Sequence, residues 1–139
     1  MPTDSRELTP RSIGQIAINV QDVGRATAFY RDTLGLRLLF EFPGLAFFDC
    51  GGVRLMLAKP EKAELDHAAS LIYYKVDDIH AAHAALAARG VTIENAPAVV
   101  AKMPDHDLWI SAFRDTENNI LALMCEVPTG DPTQREAQV

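Results

Sequence analysis

Cysteine is scarce in this 139-residue chain: Cys50 and Cys125 are the whole complement, and they lack CxxC spacing. A disulfide framework is therefore excluded, and two thiols in apolar, strand-like surroundings read as inert groups of a reduced, cytoplasmic protein. No apolar run approaches the ~20 residues of a membrane helix. Positive charge is also in deficit, at 13 Lys and Arg against 19 Asp and Glu, for a net charge of -6. Phosphate-backbone binding needs a basic stripe, so nucleic acid is not an expected partner. Residues 1–11 are polar and acidic rather than basic and then apolar, unlike a secretory signal.

What is present suits one globular domain. The composition is 48% hydrophobic and 23% charged, and a chain of this length buries roughly two thirds of its unfolded surface without staples. Residues 1–11 and 128–139 are rich in Pro, Thr, Asp, Glu and Gln and are expected to be flexible tails.

The interior repeats itself once. Ile13 to Val20 is β-rich; Asp22 then caps a helical pattern in which Val23, Ala26, Phe29, Tyr30 and Leu34 share a face, and Gly35 stops it. About 56 residues later, Leu71 to Val76 forms a strand, Asp77 or Asp78 caps, and Ile79, Ala82 and Leu86 carry a helix to Gly90. Three strands follow each helix. They are Leu36 to Phe42, Leu45 to Cys50 and Val53 to Ala58 in the first half. In the second they are Val91 to Ile93, with a continuation open as far as Val100, then Leu108 to Arg114 and Asn119 to Glu126. Pro43-Gly44 and Gly51-Gly52 supply turns, and the charged segment 59–69 reads as a linker. The expected fold is α+β: two βαβββ modules, at 12–58 and 70–127, whose helices cover one face and whose eight strands curve around a small-molecule pocket.

The stretches Gln15-Ile-Ala-Ile-Asn-Val-Gln-Asp-Val, Ala28-Phe-Tyr-Arg-Asp-Thr-Leu-Gly-Leu36 and Phe113-Arg-Asp-Thr-Glu-Asn-Asn119 resemble the vicinal oxygen chelate superfamily. That superfamily includes glyoxalase I, bleomycin resistance proteins and extradiol dioxygenases. The resemblance covers about residues 12 to 127 and implies a homodimer and a divalent metal held by His, Glu or Gln on the first and fourth strands of each half. Transferred residue by residue, those positions are Gln15, Leu55, Leu71 and Ala122, and only Gln15 carries a donor atom. The expected cofactor is therefore none, with a divalent metal ion as the alternative.

Alternation along the strands places Gln15, Asn19, Leu55, Leu57, Tyr73, Lys75 and Met124 on the pocket side, with Trp109 as a further ligand contact. The cup would be apolar with a few polar groups, fitting a small organic ligand. His106, between Asp105 and Asp107, is the candidate catalytic group, because a carboxylate that orients an imidazole is a common acid/base arrangement. Adjacent strand residues face opposite ways, which weighs against the His106–Asp107 pairing. His80 and His83, three apart on the second helix, and His67 in the linker read as solvated rather than metal-binding. Two functions stay open: a metal-free binder of the bleomycin-resistance type, and a lyase, isomerase or dioxygenase using an unconventional metal or His106.

Overall fold

Two aspartates start two α-helices among the described residues. In a computed structural model that describes residues 8–129, Asp22 accepts the Arg25 amide at 3.0 Å and Asp78 accepts the Ala81 amide at 3.1 Å. Each carboxylate satisfies a backbone donor that the first turn leaves without a partner. Both helices end at glycines with positive φ, Gly35 at 81° and Gly90 at 78°, a conformation that a side chain would strain. Of the tails expected at residues 1–11 and 128–139, residues 1–7 and 130–139 lie outside the described residues, and Pro128 ends the last strand.

The chain divides into two compact units, residues 1–67 and 68–139, with the division inside the segment read as a linker. The first unit runs β1 (Gln15–Asn19), α1 (Val23–Ala28), β2 (Arg37–Phe42), β3 (Leu45–Cys50) and β4 (Val53–Ala58). A five-residue wide turn, Phe29–Thr33, extends α1. There Leu34 donates its amide to the Phe29 carbonyl at 2.9 Å, and the wider winding lets the neighbours Phe29 and Tyr30 both bury, packed edge to face at 5.5 Å. The second unit runs β5 (Ile72–Lys75), α2 (Ile79–Ala88), β6 (Thr92–Lys102), β7 (His106–Arg114) and β8 (Ile120–Pro128).

Each unit builds a four-stranded mixed sheet, in the orders β1-β4-β3-β2 and β5-β8-β7-β6. In both, the first strand runs parallel to the fourth and the other neighbours are antiparallel. This is the duplicated α+β arrangement that the sequence repeat implies.

Helix α1 covers one face of the first sheet, and the buried side chains beneath it are Ile18, Ala46, Phe48, Leu55 and Leu57. Helix α2 covers one face of the second, over Tyr74, Trp109, Phe113, Leu121 and Leu123. Two strands differ from expectation. β6 runs its full 11 residues, with register shifts against β7 that absorb the Glu94 to Pro97 stretch, where Pro97 has no amide to give. β7 begins at His106 rather than Leu108, so the expected entrance loop is strand.

Candidate functional site

The register of β1 on β4 decides what the first sheet presents. Gln15 lies opposite Arg54, Ala17 opposite Met56 and Asn19 opposite Ala58. These six share the face turned away from α1, while Leu55 and Leu57, 2% and 0% exposed, point the other way into the core. The placement of Leu55 and Leu57 on the pocket side is thereby corrected by one residue. The physical reason is that Arg54 cannot be buried without a partner whereas Val53, Leu55 and Leu57 can, so the apolar set turns under the helix.

Across the same face three further rows align. Arg37, Asp49, Arg54 and Gln15 form one; Phe40, Phe47, Met56 and Ala17 the next; Phe42, Leu45, Ala58 and Asn19 the last. A bulge at Leu39 keeps Phe40 and Phe42 on this face. The three phenyl rings cluster, with Phe40 and Phe47 5.1 Å apart and Phe40 and Phe42 5.8 Å apart.

A cavity of about 660 Å³ opens at the apolar end of these rows. Its floor is Ala17, Leu45, Met56 and Ala58, and its wall is the Pro43-Gly44 turn together with Lys59 to Glu61, Leu65 and His67. Asn19 builds that wall: its Nδ2 donates to the Leu65 carbonyl at 2.6 Å and to the His67 carbonyl at 2.9 Å. The residue expected to meet a ligand therefore also anchors the segment that closes the cavity, and it places His67 on the rim.

Gln15, the one donor that survives at the positions implied for a metal, is engaged by a cation. Arg54 Nε donates to Gln15 Oε1 at 3.0 Å, and the guanidinium lies 5.5 Å from the centre of the Phe47 ring. Gln15 Nε2 in turn meets Met56 Sδ at 3.7 Å. In the second unit the implied positions are Leu71, just ahead of β5, and Ala122, which lies opposite Tyr73, and neither Leu71 nor Ala122 carries a donor atom. A divalent cation at Gln15 would sit against a fixed positive charge with no anionic ligand to offset it, so these residues do not fit the metal chelate. Among the described residues no group of three His, Cys, Asp or Glu side chains is placed to hold a metal.

The remaining sequence candidates fall in the second unit. Tyr73, Lys75 and Met124 lie along the register on the face away from α2, with Tyr73 and Lys75 exposed and Lys75 Nζ 3.9 Å from Glu126. Trp109 does not join them. It is 6% exposed, on the α2 side of β7, with its ring edge to face against His80 at 4.9 Å, because alternation from the buried Ser111 and Phe113 turns it inward. Its assignment as a ligand contact is corrected to a core position.

His106 pairs with Asp105, not Asp107. Its Nδ1 lies 2.7 Å from Asp105 Oδ1 and its Nε2 3.8 Å from Glu126, while Asp107 is buried on the opposite face. The imidazole contact, chiefly its hydrogen bond, holds the exposed Asp105 carboxyl below its ordinary range. Sequence reasoning passed over Arg54, Phe40 and Phe47 as site residues. The available signal was the alternation of Arg54 and Met56 with three aliphatic neighbours, which assigns the aliphatic set to the core.

From residue 12 to 123 the sequence matches the family model described as the Glyoxalase/Bleomycin resistance protein/Dioxygenase superfamily. It is 29% identical over 126 residues to the uncharacterized protein YraH of Bacillus subtilis strain 168, covering 78% of this chain and 94% of that one. Lactoylglutathione lyase from Agrobacterium tumefaciens superposes with a TM-score of 0.67 at 24% identity, over 84% of this chain and 94% of the other. TnmS3, an antibiotic binding protein from Streptomyces sp. CB03234, superposes with a TM-score of 0.68 at 22% identity, over 85% and 98%. Among the described residues no helix is long and apolar enough to cross a membrane. The matched profile and the paired mixed sheets together place this chain in the glyoxalase/bleomycin resistance protein/dioxygenase superfamily.

Proposed function

We propose that the chain binds a small organic molecule in the cavity of its first unit, without a metal chelate. The observation that carries this reading is the Arg54–Gln15 hydrogen bond beside a 660 Å³ cavity with a mainly apolar floor. Ligand pockets commonly have roughly this volume and this mix of apolar wall and few polar groups. An antibiotic-binding protein shares the fold, so binding of a small organic molecule is within its range. The resemblance adds a homodimer to the reading, and a cytoplasmic location fits the two free thiols.

A thermal-shift screen of small organic molecules, run with and without chelator, tests the proposal. A hit should persist in chelator and lose about tenfold or more in affinity on Ala17→Phe, which fills the floor of the cavity. A hit whose affinity ignores Ala17→Phe, or a stabilisation that chelator removes, would overturn it.

A second reading, proton transfer in a lyase or isomerase reaction, is favoured by the Asp105–His106 pair. A carboxylate on Nδ1 fixes the tautomer and leaves Nε2 to exchange a proton. If an activity is detected, His106→Gln should lower kcat by about 10² or more, and an unchanged kcat ends this reading.

A further inference from the structure

Resting on the small-molecule reading above, we infer that the ligand is a planar aromatic carboxylate, its ring on the phenylalanine cluster and its carboxylate on Arg54. The sheet face beside the cavity is divided by chemistry. The row Arg37, Asp49, Arg54, Gln15 carries two guanidinium groups and one carboxylate, a local excess of one positive charge in a chain whose net charge is -6. The adjacent row presents Phe40 and Phe47, and the partly exposed Phe42 flanks them.

Arg54 is already oriented. Its Nε is held by Gln15 Oε1 at 3.0 Å and its plane is steadied by the Phe47 ring. Among the described residues no carboxylate comes within ion-pair distance of it. The Nη1 and Nη2 edge is left for a ligand, and two parallel N–H donors match the two oxygens of a carboxylate.

The ring clause has its own support. Phe40 remains 44% exposed and Phe42 56% exposed although both belong to a ring cluster, so the protein leaves aromatic surface uncovered beside a cavity. Flat apolar surface of this kind is covered best by another ring, stacked or edge on, at the ~5 Å spacing that the cluster itself uses. Guanidinium and rings are neighbours on successive rows, with the Arg54 guanidinium 5.5 Å from the centre of the Phe47 ring. A fused bicyclic acid spans that distance.

The test is calorimetric titration of the full chain with 2-naphthoate, its neutral analogue 2-naphthamide and the non-aromatic cyclohexanecarboxylate. Wild type should bind 2-naphthoate about fivefold or more tighter than the amide, as for one charge-assisted pair at a partly exposed site. It should bind the cyclohexane acid more weakly than either. Arg54→Gln should bring the two naphthyl ligands to the same affinity, and Phe47→Leu should weaken both together. Thermal melting of each variant establishes that it is folded.

Equal binding of acid and amide by wild type, or an acid preference that survives Arg54→Gln, overturns the inference. Amide binding that Ala17→Phe abolishes would, in the same event, leave the small-molecule reading standing. Binding of none of the three at millimolar concentration overturns the inference as well, and the cavity reading is then judged separately by the wider screen.

Discussion

Asp115 ties the last hairpin of the second unit. Its Oδ1 accepts the amides of Glu117 and Asn119 at 2.8 and 2.9 Å, and its Oδ2 accepts from Asn119 Nδ2 at 3.0 Å. Asn118 takes the positive φ of 66° that the turn needs, and Arg114 closes the loop from the strand side on the Asn118 carbonyl. Because the carboxylate is buried, Asp115→Ala leaves two amides without their acceptor and is expected to cost about 2–3 kcal/mol in a denaturant titration; Asp115→Asn should recover part of it. Asp105 behaves differently, since it is exposed. His106 lowers its carboxyl pKa, so the contact contributes above the ordinary carboxylate range and is lost as pH falls through the lowered value. A carbon-detected NMR titration should place the Asp105 midpoint below that of a free aspartate, and His106→Ala should return it. Burial first, and then Asp49, push the Cys50 thiol up. Its alkylation at neutral pH is accordingly expected to be slower than that of free cysteine and to accelerate in base.

The helices were legible in the sequence because their ends are written in it: Asp22 and Asp78 cap, Gly35 and Gly90 stop. The strands of the first half were legible for a similar reason, since Pro43-Gly44 and Gly51-Gly52 bound them. Facing was harder. In β4 every second residue is aliphatic, yet Met56 on the other face is also apolar, so hydrophobicity alone does not separate the two sets and only Arg54 breaks the tie. The same ambiguity sent Trp109 to the ligand side, because an indole suits either a core or a pocket. The end of β6 was left open between Ile93 and Val100 by the sequence; Pro97 interrupts the strand pattern, and bulges carry the edge strand past it. Leu57 supplies the check on facing: Leu57→Ala should cost about 2–4 kcal/mol if it is core beneath α1, whereas Met56→Ala, half-buried beside the cavity, should cost less and act on ligand affinity instead.

Both units use one plan, the first strand parallel to the fourth with a helix over one face, but they spend the other face differently. The first unit pairs a guanidinium with phenyl rings and a cavity; the second links Lys75, Glu126, His106 and Asp105 in a chain of polar contacts. Neither offers the set of His and Glu ligands that the family resemblance implies for a metal. The duplication was readable from caps, turns and periodicity, and the family from the resemblance carried by residues 15–23, 28–36 and 113–119. The Arg54–Gln15 pair at a position implied for the chelate was only half readable: the lack of donor side chains shows in residue identities, but the cation facing Gln15 depends on a one-residue register that the strand itself does not announce.

Native mass spectrometry of the purified protein, recorded before and after chelator and again with a bound ligand from the thermal-shift screen, tests the central claim most directly. The account predicts a dimer mass with no stoichiometric divalent metal, and one organic adduct per chain that chelator does not displace. A metal bound at one per chain, lost to chelator together with the adduct, would contradict it.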